Sequence, residues 1–256
     1  FLKFENSSGL GDDSSGNSAT FTVNGNLKQS ITTPSNNFAT FDLNQSNNQT
    51  IIMAGTGLSA THGAWTTACI NYAFLKGKWY MEMKCVSGTY RGIGFFRYGG
   101  NYCADVTNTN VNSGMYPEGY FYKADQKQLA NNNSETTYAS WSAISDNDIL
   151  MLALDLDNGK AWYGVNGTWN DTGSGTGVPN TGAYAHHTFT TGTGNYWGIC
   201  AGGHTNPVSH SNFGEGRFGT SALASANNDN NSNGTFEYAP PAGFYSICTK
   251  NIKEYG

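Results

Sequence analysis

The stretch from Asp148 to Trp169 constrains the fold of this chain more than any other part of its sequence. Leucine occupies every second position from Leu150 to Leu156, so the leucine side chains share one face of an extended strand. Asn158-Gly159 then supplies a two-residue hairpin loop, because both residue types tolerate positive φ. Folding about this loop predicts the pairs Leu156–Ala161, Leu154–Tyr163 and Leu152–Val165, with all six side chains on the leucine face.

A second turn, at Asn166-Gly167, predicts a third strand and completes an antiparallel meander. The apolar face of a meander must be covered, and a second sheet is the natural cover. Segments rich in Ala, Leu, Glu and Lys are missing, which argues against helical bundles and doubly wound α/β folds. The predicted fold class is therefore all-β, a two-sheet antiparallel β-sandwich of the jelly-roll kind.

A further strand is predicted from Trp79 to Cys85, where apolar and polar residues alternate. Trp79, Met81, Met83 and Cys85 share its apolar face. The segment 91–96 follows a Ser87-Gly88 turn, so we predict that it is the hairpin partner of this strand.

The charge content limits the classes of partner. The chain carries 13 Lys+Arg and 18 Asp+Glu among 256 residues, a net charge of -5, without a basic run. A nucleic-acid partner is therefore not expected, and no apolar stretch approaches the ~20 residues of a membrane span. The chain begins at Phe1 without a visible signal peptide. Its five cysteines lie far apart and are expected to be small buried thiols.

The organisation along the chain favours one domain over residues 1–256, because no clean linker divides it. Residues 1–60 are expected to form an N-terminal arm that contributes edge strands. Residues 224–235 are rich in Asn and offer little apolar surface to bury, which predicts a surface insertion, with mobility left open.

Several motifs occur in the order in which a SPRY domain has them. They are Gly77-Lys78-Trp79-Tyr80-Met81-Glu82, Arg91-Gly92-Ile93-Gly94-Phe95, Gly119-Tyr120-Phe121-Tyr122, the stretch from Asp148 to Tyr163, and Asn166-Gly167-Thr168-Trp169. Residues 77–200 therefore resemble a SPRY domain. The resemblance implies a concanavalin A-like sandwich of two antiparallel sheets, and taken alone it suggests peptide binding by the end loops.

The flanking segments resemble a narrower group of proteins. Residues 13–17 and 21–24 are similar to the opening of laminin-G-like jelly rolls. The segment 33–40 looks like part of virion-associated proteins from bacteriophages and aquatic viruses, and so do the C-terminal segments Asn212-Phe213-Gly214, 236–244 and 249–252. The Asn-rich insertion departs from this pattern. The joint order of these segments implies a viral structural or appendage protein.

Two groups of side chains could carry chemistry. Four histidines and one cysteine could together form a zinc site: His186, His187, His204, His210 and Cys200. Gly- and Thr-rich loops fix ligand geometry poorly, so we expect these histidines to be ordinary loop residues without a metal. Asp155 and Asp157 look like the carboxylate pair of a glycosidase. Their positions beside a turn favour a scaffold role, so we predict no catalytic residue and no enzyme.

Calcium is the one cofactor that the sequence leaves open. Asp12, Asp13 and Asn17 offer oxygen ligands, but their spacing also suits an Asx-rich turn, which we favour. We therefore predict no bound metal and no cofactor.

Aromatic residues with a polar end are frequent in the predicted loops, beside Ser, Asn and Gly. Such residues supply large contact area with little loss of conformational entropy. The predicted ligand-contact residues are Tyr98, Tyr102, Tyr116, Trp141, Tyr184 and Trp197. In the alternative interpretation, half of the loop aromatics cap the core of the sandwich.

These observations favour a non-enzymatic viral structural protein that acts in a virion appendage, a tail fibre or a capsid decoration. The expected partners are copies of itself in a homo-oligomer, neighbouring virion proteins, and a host-surface glycan or protein. The expected location is the virion. The alternative function is a carbohydrate-binding, lectin-like module of a secreted or cell-surface protein, and a glycan-degrading enzyme ranks third.

Overall fold

Short segments with alternating apolar and polar residues form the strands of this chain. The computed structural model describes every residue except 1, 5, 7, 26, 28, 47–48, 53–54, 61–64 and 99–117, and it describes only the backbone of the remaining residues in 43–52 and of residue 60. The first strands in chain order are β1 (Phe41–Ser46), β2 (Gln49–Ile52), β3 (Gly57–Ala60), β4 (Thr66–Ile70), β5 (Lys78–Ser87), β6 (Arg91–Arg97), β7 (Gly119–Lys123), β8 (Gln128–Asn131), β9 (Ser134–Thr137) and β10 (Ile149–Asp155).

The rest of the chain adds nine strands and one α-helix. They are β11 (Lys160–Val165), β12 (Thr168–Trp169), β13 (His187–Thr188), β14 (Trp197–Gly203), β15 (Val208–Asn212), β16 (Arg217–Phe218), β17 (Ser221–Ala222), β18 (Asn227–Asn228), β19 (Thr235–Phe236) and α1 (Thr249–Tyr255).

The strands form two large antiparallel sheets, which confirms the predicted β-sandwich. Sheet A has the order β1-β4-β14-β6-β7-β8-β9. Sheet B has the order β12-β11-β10-β5-β15-β3-β2, with β13 beside β11. Two small hairpins, β16–β17 and β18–β19, lie outside both sheets.

The meander is confirmed, but its predicted first register is wrong by two residues. Leu154 pairs with Ala161 and Leu152 with Tyr163. Asp155 pairs with Lys160, so residues 156–159 form the connection, and Gly159 within it adopts positive φ. The Asp155 carboxylate accepts hydrogen bonds from the backbone N and Nδ2 of Asn158, which draws the strand end into the turn. A shift of two residues keeps every side chain on its predicted face.

The predicted hairpin between the strand at Trp79 and the segment 91–96 is wrong. β5 pairs with β10 and β15 in sheet B, whereas β6 pairs with β14 and β7 in sheet A. Both edges of β5 are therefore occupied, and the connection crosses between sheets. The predicted inward face of β5 is confirmed, because Trp79, Met81, Met83 and Cys85 all belong to the core.

The core between the sheets contains the leucines of β10 and one aromatic residue each from β5, β6 and β14, namely Trp79, Phe95 and Trp197. Cys85, Cys200 and Cys248 are buried thiols, as expected. Cys69 is disulfide-bonded, so the expectation of a buried thiol is wrong there. The outer face of sheet B is also apolar, and Phe236 and Phe244 of the C-terminal segment cover it.

The Asn-rich segment 224–235 contains β18 and Thr235, the first residue of its hairpin partner β19. Asp229 is only 3% exposed and accepts hydrogen bonds from the backbone N atoms of Asn233, Gly234 and Ser246. Nδ2 of Asn251, in α1, also donates to this carboxylate at 3.0 Å. Buried hydrogen bonds thus link the hairpin to the terminal helix. The domain boundaries predicted from the sequence stay predictions.

Candidate functional site

Two of the predicted ligand-contact residues lie in the core. Trp141 is 4% exposed, stacks on Tyr138 with ring centroids 4.4 Å apart, and donates its indole N–H to the carbonyl of Asp171. Trp197 is 1% exposed and packs against Phe189. Both rings therefore stabilise the sandwich and do not reach a surface ligand.

The other predicted aromatics do not form one surface. The hydroxyl of Tyr98 donates to the carbonyl of Ile70 at 3.3 Å, and its half-buried ring packs on Phe96. Tyr184 is 49% exposed and has positive φ, in the loop that follows β12. Tyr102 and Tyr116 lie outside the described residues. Among the described residues of the six predicted for ligand contact, Tyr184 therefore presents its ring to solvent.

The histidines considered for zinc are dispersed over the fold. His186 and His187 lie against Tyr163, and burial lowers their pKa values to about 4 and about 3. His204 packs against Trp65 and Tyr90, elsewhere in the structure. Within the described part of the chain, no group of three or more His, Cys, Asp or Glu side chains could hold a metal.

The carboxylates considered for catalysis or calcium form structural contacts. Asp155 is buried and lies 3.0 Å from Nζ of Lys78, and Asp157 accepts a hydrogen bond from the backbone N of Gly77. Asp13 accepts hydrogen bonds from the backbone N atoms of Ser15 and Ala19, as in an Asx-type turn.

A calcium-loop spacing elsewhere escaped the sequence analysis. Asp229, Asn231, Asn233 and Gly234 follow the pattern Asp-x-Asn-x-Asn-Gly. The loop folds around its aspartate, but the amide of Asn251 fills it: Nδ2 donates to Asp229, and Oδ1 accepts from Nδ2 of Asn233 at 2.9 Å. This amide satisfies the buried carboxylate without an ion, so the arrangement connects two segments of the fold.

A cavity of about 650 Å³ lies where the N-terminal arm crosses the sandwich. One wall comes from the arm, and another comes from Asn71 and Tyr72, directly after β4. The described arm residues of the lining are Leu27, Gln29, Ser30, Thr32 and the segment 37–40. The third wall is the segment 215–220, which follows β15. The Asn212 side chain shapes this segment, because its Oδ1 accepts hydrogen bonds from the backbone N atoms of Gly214 and Gly216. The volume of the cavity falls within the usual range of small-ligand sites.

The cavity has few charged groups in its described lining, namely Glu215 and Arg217. Oε2 of Glu215 accepts a hydrogen bond from the backbone N of Phe213 at 2.8 Å, whereas its Oε1 is buried and has no partner among the described residues. Burial, with a smaller contribution from Glu82, raises the pKa of Glu215 to about 8. The carboxyl is therefore mostly protonated at neutral pH.

Glu82 does not form a catalytic pair with Glu215. Its oxygens accept hydrogen bonds from the backbone N atoms of Glu237 and Tyr238 and from the hydroxyl of Tyr80. It is also not among the described residues that line the cavity. Burial raises the pKa of Glu82 to about 7. Glu82 thus fixes the C-terminal segment on sheet B, and both of its carboxylate oxygens are already occupied by hydrogen bonds within the protein.

The remaining described lining combines amides, hydroxyls and rings with the aliphatic residues Leu27 and Ala39. Asn37 and Asn71 supply amides, and Phe38 and Tyr72 supply aromatic surface. Such a set can hold a polar ligand by hydrogen bonds and ring contacts. The sequence does not predict this site, although the segment 33–40, which resembles virion-associated proteins, supplies part of its lining.

Comparison with known proteins supports the fold alone. No protein-family model matches the sequence, and no curated protein matches it. Among solved structures, the chain is similar to the SPRY domain of human HERC1, with a TM-score of 0.50 and 13% identity over 67% of this chain and 96% of that domain. The fold is thus a SPRY-like β-sandwich. Among the described residues, no helix combines the length and apolar character needed to cross a bilayer.

Proposed function

We propose that this protein is a non-enzymatic recognition component of a virus particle, acting in an appendage, a tail fibre or a capsid decoration. It assembles with copies of itself and with neighbouring particle proteins, and it attaches to a host-surface glycan or protein. The observation that carries the proposal is the cavity beside the N-terminal arm. Its described lining combines amides, hydroxyls and rings with one acid and one guanidinium, a set suited to binding.

The low charge of the chain supports the assembly part of the proposal. Only 12% of its residues are charged, so identical copies repel each other weakly when they pack closely. Exposed apolar side chains are concentrated in the arm: Phe4, Phe21, Val23, Leu27 and Ile31. Contact with another chain would remove this surface from water.

A carbohydrate-binding, lectin-like module of a secreted or cell-surface protein is the second candidate. The amide and aromatic lining of the cavity favours it, because these groups suit the hydroxyls and apolar faces of sugars. Particle assembly separates the two candidates, since a lectin module can act as a monomer.

Light scattering and host-cell binding of the purified chain test the proposal. We expect a defined homo-oligomer that binds host cells or isolated particle proteins. A strict monomer that binds glycans but no particle protein would favour the lectin module. A strict monomer that binds none of these ligands would contradict both candidates.

The exposed ring of Tyr184 allows a test of the loop surface. If this loop contacts the partner, Tyr184→Ala weakens binding by about tenfold, the effect of one aromatic contact of ~1.4 kcal/mol. Tyr196→Ala is the matched control, because Tyr196 is 47% exposed against 49% for Tyr184. Equal binding by both variants would exclude Tyr184 from the contact surface.

A further inference from the structure

In the described lining of the cavity, the guanidinium of Arg217 is the permanently charged group. Its Nε donates to the carbonyl of Gln29 at 3.1 Å, which fixes it against the arm wall. Its Nη1 and Nη2 make no hydrogen bond or ion pair within the described part of the chain. An arginine held in this way retains paired N–H donors whose geometry matches a carboxylate.

Glu215 does not neutralise this cation at neutral pH. Its raised pKa, about 8, keeps the carboxyl largely uncharged. Glu82 from β5 acts on its pKa, and Tyr72 after β4 and Arg217 on its own segment share the cavity lining. His210 from β15 hydrogen-bonds the backbone of Phe218 on the same segment, and burial lowers the pKa of His210. The described lining of the cavity therefore carries a net positive charge near pH 7.

The amides of the described cavity lining are suited to hydroxyls. The Asn37 side-chain amide and Nδ2 of Asn71 make no hydrogen bond to the described residues, while Oδ1 of Asn71 accepts from the backbone N of Thr40. Phe38 and Tyr72 add ring surface to the same cavity. Amides beside rings can recognise a molecule that is hydroxylated at its edges and apolar on its faces.

We propose that the cavity binds a carboxylate-bearing saccharide, with Arg217 pairing with the carboxylate and Asn37 and Asn71 bonding its hydroxyl groups. This inference rests on the proposed function and specifies its ligand. It assigns the attachment role to the cavity between the arm and the segment 215–220, outside the loop surface that the sequence analysis predicted.

Titration calorimetry with glucuronic acid and N-acetylneuraminic acid as probes, and glucose as the neutral comparator, tests the proposal. We expect at least one acidic sugar to bind about tenfold or more tightly than glucose, since a charge-assisted hydrogen bond is worth ~1.5–3 kcal/mol. Arg217→Gln should remove this preference. Lys253→Gln, which deletes one exposed charge from α1, should keep it. If Arg217→Gln does not melt cooperatively, Arg217→Lys replaces it, with a smaller loss expected.

The pH dependence of acidic-sugar affinity, compared between the unmodified protein and Glu215→Gln, is a second measurement that loss of structure does not reproduce. In the unmodified protein, acidic-sugar affinity should fall as the pH rises from about 6.5 to about 9, because ionised Glu215 repels the carboxylate. The glutamine variant should lose this dependence. Affinity that is insensitive to both Arg217→Gln and pH would overturn the proposal, as would tighter binding of inorganic phosphate or glucose than of either acidic sugar.

The two levels of proposal fail in different ways. Protein that binds host cells or particle proteins but neither acidic sugar would overturn the ligand assignment and leave the recognition function standing. Protein that is a strict monomer and binds no cells, particle proteins or sugars would overturn both.

Discussion

Arg91 is the most deeply buried Lys or Arg among the described residues. It is 2% exposed, and its Nη2 and Nη1 lie 2.8 and 2.7 Å from carboxylate oxygens of Asp125 and Asp146. Asp125 also accepts a hydrogen bond from the backbone N of Arg91. The pair thereby ties the start of β6 to the turn between β7 and β8.

We predict that Arg91→Ala lowers the free energy of unfolding by about 3 kcal/mol, because it leaves Asp125 partly buried without its cation. Urea denaturation measures this loss. Arg97→Ala is the control: the Arg97–Glu118 pair has side chains 33% and 39% exposed, so its loss should cost about 1 kcal/mol or less. Equal destabilisation by the two substitutions would contradict the distinction between buried and exposed pairs.

At the scale of elements, Glu82 fastens the C-terminal segment to sheet B. Its Oε2 accepts from the backbone N of Glu237 at 2.9 Å, and its Oε1 accepts from the backbone N of Tyr238 at 2.8 Å. Phe236 and Phe244 bury their rings on the same face of the sheet. One carboxylate on β5 therefore positions a segment more than 150 residues away in sequence.

We predict that Glu82→Gln loosens this segment without unfolding the sandwich, because its amide NH2 cannot accept from a backbone N–H. The amide protons of Glu237 and Tyr238 should exchange about tenfold faster, as expected from the loss of one buried hydrogen bond of ~1.4 kcal/mol. Hydrogen exchange measures this, with the exposed Glu254→Gln as control. Unchanged exchange at both positions would show that apolar packing alone holds the segment.

The elements also show which parts of the fold the sequence could predict. Alternation assigned the inward faces of β5 and β10 correctly, because side-chain direction follows from local period. It could not assign the sheet partner of β5, since the pattern is the same whether the next strand joins the same sheet or the opposite one. The register of β10 with β11 depended on the Asp155–Asn158 contact, which the choice of Asn-Gly as the turn did not include.

The cavity could not be predicted for a related reason. It joins segments that are distant in sequence, as the Arg217–Gln29 hydrogen bond across 188 positions shows. No periodic pattern reports such a contact. The predicted aromatic site included two residues that are buried in the core, Trp141 and Trp197. Residue type indicates that they have large rings but does not indicate whether those rings face the core or the solvent.

At the scale of the whole molecule, four buried groups make stability depend on pH in opposing directions. The pKa values of Glu82 and Glu215 rise from 4.5 to about 7 and about 8, so the folded protein holds protons that the unfolded chain releases. The pKa values of His186 and His187 fall from 6.5 to about 4 and about 3, so the unfolded chain binds protons that the folded protein excludes. The carboxyls therefore favour folding at low pH, and the histidines favour it at high pH.

These opposing effects predict a plateau of maximal stability between about pH 4.5 and 6.5, the ordinary pKa values of the two residue types. Above pH 6.5, only the carboxyls contribute, so stability should fall until about pH 8. Below pH 4.5, only the histidines contribute, so it should fall again toward pH 3. Melting temperatures across this range measure both limbs. Glu215→Gln should flatten the alkaline limb and leave the acidic limb intact, whereas stability that rises from pH 6.5 to 8 would contradict the burial of both carboxyls.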